Sequence, residues 1–160
     1  MTLQLDGRLA RRGDLPIGDH CPIDRTMQII GNRTAILLLR EALYGATRFE
    51  SLRKRVGVTD AVAAQRLKEL VSARVLEKRP YREPGQRTRH EYILTEAGHA
   101  LLPVVIALLD WGGKYAPGEY PAVSARHAGC GAPAHTAIRC EAGHDVPEDD
   151  LVIDADDPAR

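Results

Sequence analysis

Thiol and imidazole groups are the most reactive side chains of this sequence, and several of them lie near its C-terminal end. His127 and Cys130 are three residues apart, Cys140 and His144 are four apart, and His135 lies between the two pairs. Thiolates and imidazoles in two close pairs are the ligands that tetrahedral zinc prefers. The pattern therefore predicts a zinc site at these two pairs. The alternative is a flexible Gly-, Ala- and Pro-rich tail in which these groups are incidental.

Cys21 precedes Pro22 and Asp24 at a predicted helix start. Proline suits the first helical position, and an acidic residue complements the helix dipole. Free N–H groups at such a start favour a thiolate, and His20 could assist. Cys21 is therefore a candidate redox or electrophile sensor, unless it is an inert, half-buried thiol at a packing interface. A thiol enzyme using Cys21 and His20 is disfavoured, because the sequence offers no third catalytic group and no Gly-rich cofactor loop.

Basic side chains are concentrated in the middle of the chain, although the formal net charge of the 160 residues is zero. Residues 1–115 carry 19 Lys and Arg against 13 Asp and Glu, whereas residues 116–160 carry 3 against 9. Residues 48–90 alone hold 12 basic and 5 acidic side chains. This asymmetry predicts a surface for double-stranded DNA within the first part and an acidic C-terminal end.

Length and composition exclude several classes of protein. With 160 residues, 44% of them hydrophobic, the chain has the size and the apolar content of one folded domain. No stretch approaches the roughly 20 apolar residues of a membrane span. The N-terminus lacks the apolar segment of a secretory signal, and three cysteines are unlike a disulfide framework. We therefore expect a cytoplasmic protein with no membrane partner.

The elements that must position the basic groups follow from hydrophobic periodicity and from helix start and stop signals. Helices are predicted at 21–30, 33–44, 48–56, 59–74 and 96–115, with a capping box at 47–50 and a kink or displaced start at Pro103. A period of two predicts strands at 75–81 and 88–94. The fold class is therefore mainly α with a small β-hairpin (α+β), arranged as a winged helix-turn-helix with a long C-terminal dimerisation helix.

The helix that begins after Thr59 is the predicted recognition helix, because it follows a short helix and the tight turn at Gly57 and Val58. If Ala63, Leu67 and Leu70 face the core, Gln65 lies on the opposite face and can read an adenine edge. Small alanines allow close approach to thymine methyl groups, while basic and hydroxyl groups contact phosphates. The predicted DNA-binding residues, including those of the hairpin, are Thr59, Asp60, Ala61, Ala64, Gln65, Arg66, Lys68, Arg82, Arg87 and Arg89.

Residues 21–115 resemble the HxlR-type branch of winged helix-turn-helix transcriptional regulators, which is related to the MarR group. The resemblance rests on a series of short motifs in the right order. These include Cys21-Pro22-Ile23, Ile29-Ile30-Gly31, Arg48-Phe49-x-x-Leu52, the segment 65–70 (QRLKEL) and Tyr92-x-Leu94-Thr95. It implies a bacterial, homodimeric DNA-binding regulator at the nucleoid, in which Cys21 responds to oxidants or electrophiles. The chain departs from the family at Arg33-Thr34, where a Lys-Trp pair is common.

The last predicted helix carries an apolar stripe, Leu101, Leu102, Val105, Ile106 and Leu109, with Trp111 near its end. A domain of this size cannot bury all of it, which favours a homodimer and a palindromic operator. We expect an N-terminal arm (1–19), a winged helix-turn-helix DNA-binding and dimerisation domain (20–116) and a Cys/His-containing acidic extension (117–160). The leading function is a transcriptional repressor. The alternative is a winged-helix protein–protein interaction module without specific DNA binding.

Overall fold

The computed structural model describes residues 3–14, 16, 21–82, 84–85, 87–116, 118 and 123–155. Its helices are α1 (Gly7–Ala10), α2 (Pro22–Ile30), α3 (Arg33–Leu43), α4 (Phe49–Val56), α5 (Asp60–Ser72), α6 (Glu96–Ala100) and α7 (Leu102–Tyr115). Its strands are β1 (Gln4–Leu5), β2 (Leu76–Tyr81), β3 (Arg89–Leu94) and β4 (Val152–Ile153), and a 3-10 turn covers Glu148–Asp150. The predicted fold class, mainly helical with an antiparallel hairpin, is confirmed.

Side-chain caps fix the start of three helices. Asn32, Thr59 and Thr95 each accept a backbone N–H two or three residues ahead, at 2.9, 3.4 and 3.1 Å. Each cap satisfies a helix N–H that has no intrahelical partner and is worth about 1 kcal/mol. The caps at Thr59 and Thr95 confirm two predicted helix starts.

Pro103 displaces the start of the last long helix, as the sequence predicted. The apolar segment divides at Leu101, which ends α6 and precedes α7. Pro103 therefore lies in the first turn of α7, where a missing N–H costs no hydrogen bond.

The predicted capping box at 47–50 is wrong, because α4 begins one residue later than it requires. Arg48 is the N-cap of α4, and its side chain makes no capping hydrogen bond. The Thr47 carbonyl instead accepts the N–H of Tyr92 at 2.8 Å, and Arg48 forms an antiparallel bridge with Glu91. Pairing with β3 therefore goes with an extended Arg48 (φ −87°, ψ 138°), whereas a Thr47 cap would need Arg48 to be the first helical residue.

The core lies around α3, which packs against α4, α5, α7 and β3. Its centre is made of leucines from four elements, which fits a chain with few aromatic residues. The fully buried large side chains are Leu38, Leu39, Leu52, Leu67, Leu70 and Leu76. Burial of each such side chain stabilises the fold by about 1.5–3 kcal/mol, so these leucines hold α4 and α5 in a fixed orientation.

The two ends of the described chain meet. Strand β1 pairs in parallel with β4, with Gln4 opposite Val152 and Leu5 opposite Ile153. The C-terminal segment also contacts α7, since the Thr136 hydroxyl donates to the Pro103 carbonyl at 3.4 Å. The segments predicted as an arm and an extension are therefore joined to each other. No described helix has the length and apolar character that crossing a membrane requires.

Candidate nucleic-acid interface

Helices α4 and α5 form a helix-turn-helix whose turn is set by Gly57. Gly57 adopts the left-handed conformation (φ 73°, ψ 40°), which glycine enters without a steric penalty. Arg53 then links the two helices, because its Nε lies 2.9 Å from Asp60 Oδ1 and its Nη2 lies 3.1 Å from Glu50 Oε2. Asp60, one of the predicted DNA-binding residues, is thus part of an ion pair that bridges α4 and α5.

The two faces of α5 differ as the sequence predicted. Ala63, Leu67 and Leu70 are fully buried. The predicted base-contacting side chains, Ala61, Ala64 and Gln65, are exposed, as is Lys68. Because α5 is anchored through its apolar stripe, this opposite face is available to enter a major groove.

Glu69 neutralises part of the cationic face of α5. Gln65 Nε2 donates to Glu69 Oε1 at 2.7 Å, and Arg66 Nη1 donates to Glu69 Oε2 at 2.5 Å. These two hydrogen bonds, with that from Gln65 contributing most, lower the pKa of Glu69 below its ordinary value. To contact a base, Gln65 must therefore exchange its hydrogen bond to Glu69, a solvent-exposed i,i+4 contact, for a hydrogen bond to that base.

The hairpin of β2, β3 and the turn between them is called the wing below. Its strands pair from Leu76 opposite Leu94 to Tyr81 opposite Arg89. The predicted DNA-contacting arginines of the wing, Arg82, Arg87 and Arg89, are all exposed. They are on the same hairpin at or next to its turn, which suits contact with a DNA backbone or a flanking minor groove.

Sequence reasoning missed Arg48, which links the start of α4 to the wing. Its guanidinium lies over the Tyr81 ring, 3.2 Å from the ring centroid, and its Nη1 lies 3.7 Å from Glu91 Oε2. The β2–β3 register brings Tyr81 and Glu91, which lie on different strands, beside Arg48. The twofold periodicity of residues 75–94 indicated two strands but could not give a contact across them.

Cys21 is the N-cap residue of α2, as predicted, with Pro22 in the first turn. Its side chain is half-buried and makes no capping hydrogen bond. His20, the proposed assisting group, lies outside the described residues. Ile23 and Met27, on the same helix, are 74% and 54% exposed. Helix α2 therefore carries exposed apolar side chains as well as this thiol at its start.

The C-terminal Cys and His residues lie in two separate turns. His127 Nδ1 is 3.1 Å from Cys130 Sγ, and Gly131 closes that turn by donating to the His127 carbonyl at 2.8 Å. The second turn is closed by Cys140, whose N–H donates to the His144 carbonyl at 3.0 Å. Within the described part of the chain, no three His, Cys, Asp or Glu side chains converge where a metal could bind. As placed, the four side chains lie in two separate pairs and do not form one tetrahedral set of ligands. The zinc site therefore stays a prediction.

Comparison with known proteins identifies relatives of this arrangement. The HxlR-like helix-turn-helix family matches residues 29–120. An uncharacterized HTH-type transcriptional regulator of Mycobacterium tuberculosis is 35% identical over 119 residues, which are 74% of each chain. The crystal structure of PA1607, a candidate transcription factor, superposes with a TM-score of 0.75 at 28% identity, over 87% of this chain and 97% of that one. The redox regulator HypR in its reduced form is also similar, with a TM-score of 0.52, 27% identity and coverage of 57% and 90%.

Proposed function

The chain belongs to the HxlR-like helix-turn-helix family of DNA-binding transcriptional regulators, and we propose that it represses transcription by binding a palindromic operator as a homodimer. Proteins of this family are regulators rather than enzymes. The observation that carries the proposal is the exposed face of α5. The opposite face of this helix is buried through Ala63, Leu67 and Leu70, and the wing presents exposed arginines. Such a repressor would act in the cytoplasm, at the bacterial nucleoid.

Sequence readout is assigned to the small and amide side chains of α5. Ala61 and Ala64 let the helix approach base edges closely, and Gln65 offers the donor and acceptor that match adenine. Thr59, Arg66 and Lys68 contact phosphates, which fixes the register without reading sequence. Asp60 orders the turn through Arg53 and contributes no phosphate contact of its own.

The second copy of the chain is assigned to the exposed stripe of α7. Val104, Leu108, Trp111 and Tyr115 recur at spacings of four, three and four residues, and they are 41–60% exposed. This is the spacing at which two helices pack along a common seam. The predicted stripe at 101–109 contains Val105, which is buried within the protomer, so the exposed seam is a different face of the same helix. A twofold dimer then places two α5 helices about one DNA turn, roughly 34 Å, apart.

Cys21 is assigned the role of a redox or electrophile switch. Cys21 is half-buried at the N-cap of α2, the helix that also presents the exposed apolar side chains Ile23 and Met27. A chemical change at Cys21 would alter the packing of α2, which contacts both α3 and α5. The similarity to HypR, whose name describes a redox regulator, supports this assignment.

Selection of bound fragments from a genomic library, followed by a salt titration of the selected fragment, tests the proposal. We expect an inverted repeat, and an affinity that falls steeply with salt because phosphate contacts release counterions. Retention of no specific fragment, with pull-down of an acidic protein through the wing instead, would favour the protein–protein interaction module. A selected site without twofold symmetry would contradict the palindromic operator alone.

A further inference from the structure

Glu41 is a buried charged side chain on α3, outside the DNA contacts assigned to α5 and the wing. In the part of the chain that the structure describes, it is the one charged residue that is buried, with 6% of its surface exposed. A carboxylate loses its hydration on burial, which is tolerated where cations and hydrogen-bond donors compensate its charge. The partners of Glu41 therefore decide where this carboxylate can lie.

Two arginines on different helices compensate the two oxygens of this carboxylate. Arg40, the preceding residue of α3, donates from Nε and Nη2 to Glu41 Oε1 at 3.0 and 2.6 Å. Glu41 Oε2 lies 3.6 Å from Nη1 of Arg55, which belongs to the last turn of α4. Among the ion pairs that the described residues form, Arg55 is the cation paired with Oε2. A movement of α4 away from α3 would therefore leave the charge on Oε2 uncompensated.

The backbone of Glu41 is held in place, because the end of α3 is closed around it. The Glu41 carbonyl accepts the N–H of Ala46 at 2.9 Å, and the Arg40 carbonyl accepts the N–H of Tyr44 at 2.9 Å. Leucines of the same helix form the centre of the core. Helix α3 is thus a fixed frame, and the Glu41–Arg55 pair limits where the last turn of α4 can lie against it.

The last turn of α4 leads directly into α5. Arg55 precedes Gly57 by two residues, and Arg53, in the same helical turn, pairs with Asp60 at the start of α5. Two ion pairs therefore connect α3, α4 and α5 in series. The apolar contacts of α4 are non-directional, whereas an ion pair requires a particular separation of two groups, so the ion pairs add direction to the packing.

We propose that Glu41 is a positioning residue for DNA recognition, which holds the end of α4 through Arg55 and thereby orients the exposed face of α5. The effect on operator affinity rests on the proposed function, in which α5 reads the operator, whereas the effect on α4 does not. Base-specific contacts require side chains placed to within about 0.5 Å, but non-specific binding depends mainly on charge. A displaced α5 should therefore lose operator affinity and keep its affinity for random DNA.

Glu41→Gln tests this role, because it removes the charge and keeps the shape of the side chain. We expect binding to the selected operator to weaken by about threefold to thirtyfold. Binding to random DNA should be unchanged or slightly tighter, because the protein has lost a negative charge. Fluorescence anisotropy with both DNAs, corrected for the fraction of protein that binds in a stoichiometric titration, measures the two affinities.

Asp145→Asn is the matched control for the loss of a carboxylate that pairs with an arginine. Asp145 Oδ1 lies 2.9 Å from Arg139 Nε, but both side chains are exposed and belong to the C-terminal segment. This substitution should leave operator affinity unchanged.

Arg55→Gln breaks the same pair from its exposed end, so the proposal stays testable if Glu41→Gln fails to fold. The ratio of operator affinity to random-DNA affinity should fall in this variant as well. The double variant Glu41→Gln/Arg55→Gln should bind the operator no more weakly than Arg55→Gln alone, because the pair is already broken.

Amide hydrogen exchange in the DNA-free protein separates this role from the repressor function. Glu41→Gln and Arg55→Gln should each speed exchange in the last turn of α4 and around Gly57, with exchange in α7 unchanged. This result supports the positioning role even in a protein that selects no operator. Unchanged exchange near Gly57, or exchange that rises equally throughout the domain, would overturn it. Where an operator is selected, an unchanged operator affinity, an equal loss for both DNAs or additive losses in the double variant would overturn it too.

Discussion

Gln65 is the side chain of α5 with the hydrogen-bonding groups for base-specific readout. It is exposed, and its amide donates to Glu69 at 2.7 Å in the DNA-free protein. Gln65→Ala should weaken binding to the selected operator by about 1–3 kcal/mol while leaving binding to random DNA unchanged. Fluorescence anisotropy with both DNAs measures the two affinities.

Gln28→Ala is the matched control for this experiment. Gln28 is also an exposed helical glutamine, and it donates to Asp24 at 2.8 Å on α2, away from the proposed interface. Its loss should leave operator affinity unchanged in a protein whose dimer mass, measured by light scattering, is also unchanged. An equal loss for both variants would assign the effect to helix stability instead of base contact.

The Glu69 carboxylate gives a pH-dependent signature of the same contacts. Because hydrogen bonds from Gln65 and Arg66 lower its pKa, its contribution to stability is present above the ordinary glutamate pKa and is lost as the pH falls through the lowered value. A carboxyl titration by NMR should place the midpoint below the ordinary value, and Gln65→Ala should raise it. Identical midpoints in the two proteins would show that Gln65 does not hold Glu69 in solution.

Cys21 is predicted to make operator binding sensitive to oxidation. Treatment with diamide and glutathione, which joins Cys21 to glutathione in a mixed disulfide while diamide takes up the two thiol hydrogens, should change the operator affinity of the unmodified sequence but not that of Cys21→Ser. Cys130→Ser is the control, because Cys130 is an exposed thiol in the C-terminal segment and should leave the response intact. A gel shift with and without diamide compares the three proteins. A response that survives in Cys21→Ser and disappears in Cys130→Ser would move the switch to the C-terminal segment.

At the scale of elements, local signals predicted most of the fold. The caps at Thr59 and Thr95, the left-handed Gly57 and the Pro103 break are properties of a few adjacent residues, and each lies where the sequence places it. The cap of α4 was predicted one residue too early, because the backbone before this helix pairs with β3, more than forty residues away in the chain. The contact of Arg48 with Tyr81 and Glu91 was missed for the same reason, since it combines the start of α4 with both strands of the wing.

At Gly98, helix α6 lies close to the backbone of Val75, a residue between α5 and β2. A Cβ at this position would collide with the Val75 carbonyl oxygen and would lie 2.9 Å from Leu94 Cδ2. Because the first of these atoms belongs to the backbone, Gly98→Ala should destabilise the fold by about 1–3 kcal/mol. Urea denaturation followed by circular dichroism measures the change.

Gly113→Ala is the matched control for Gly98, since it also places a methyl group on a helix. A Cβ at Gly113 would meet no atom within 4 Å, and Gly113 lies in α7. Replacing a helical glycine with alanine in open space should raise stability by up to about 1 kcal/mol. If Gly98→Ala were equally stabilising, the close approach of α6 to Val75 would not exist in solution.

At the scale of the whole molecule, zero net charge is the sum of a basic domain and an acidic C-terminal segment. Hydrogen bonds described for that segment join it to β1 and to α7 rather than to the exposed face of α5. Within the described residues, Thr136 joins this segment to α7, and residues 151–155 join it to the N-terminal segment. Local sequence signals do not indicate this placement, because the β1–β4 pair joins residues almost 150 positions apart.

The exposed seam of α7 makes the strongest prediction about the assembled molecule. Leu108 is 54% exposed at the middle of the seam, so Leu108→Glu should leave the protomer folded but place a charge in the dimer interface, where its desolvation is costly. Light scattering should show a halved mass, and the palindromic operator should bind more weakly than it binds the unmodified dimer. Val123→Glu is the control, because Val123 is 62% exposed outside the seam and its substitution should preserve the dimer. A dimer that persists in Leu108→Glu would place the twofold interface elsewhere, with α2 and its exposed Ile23 as the next surface to substitute.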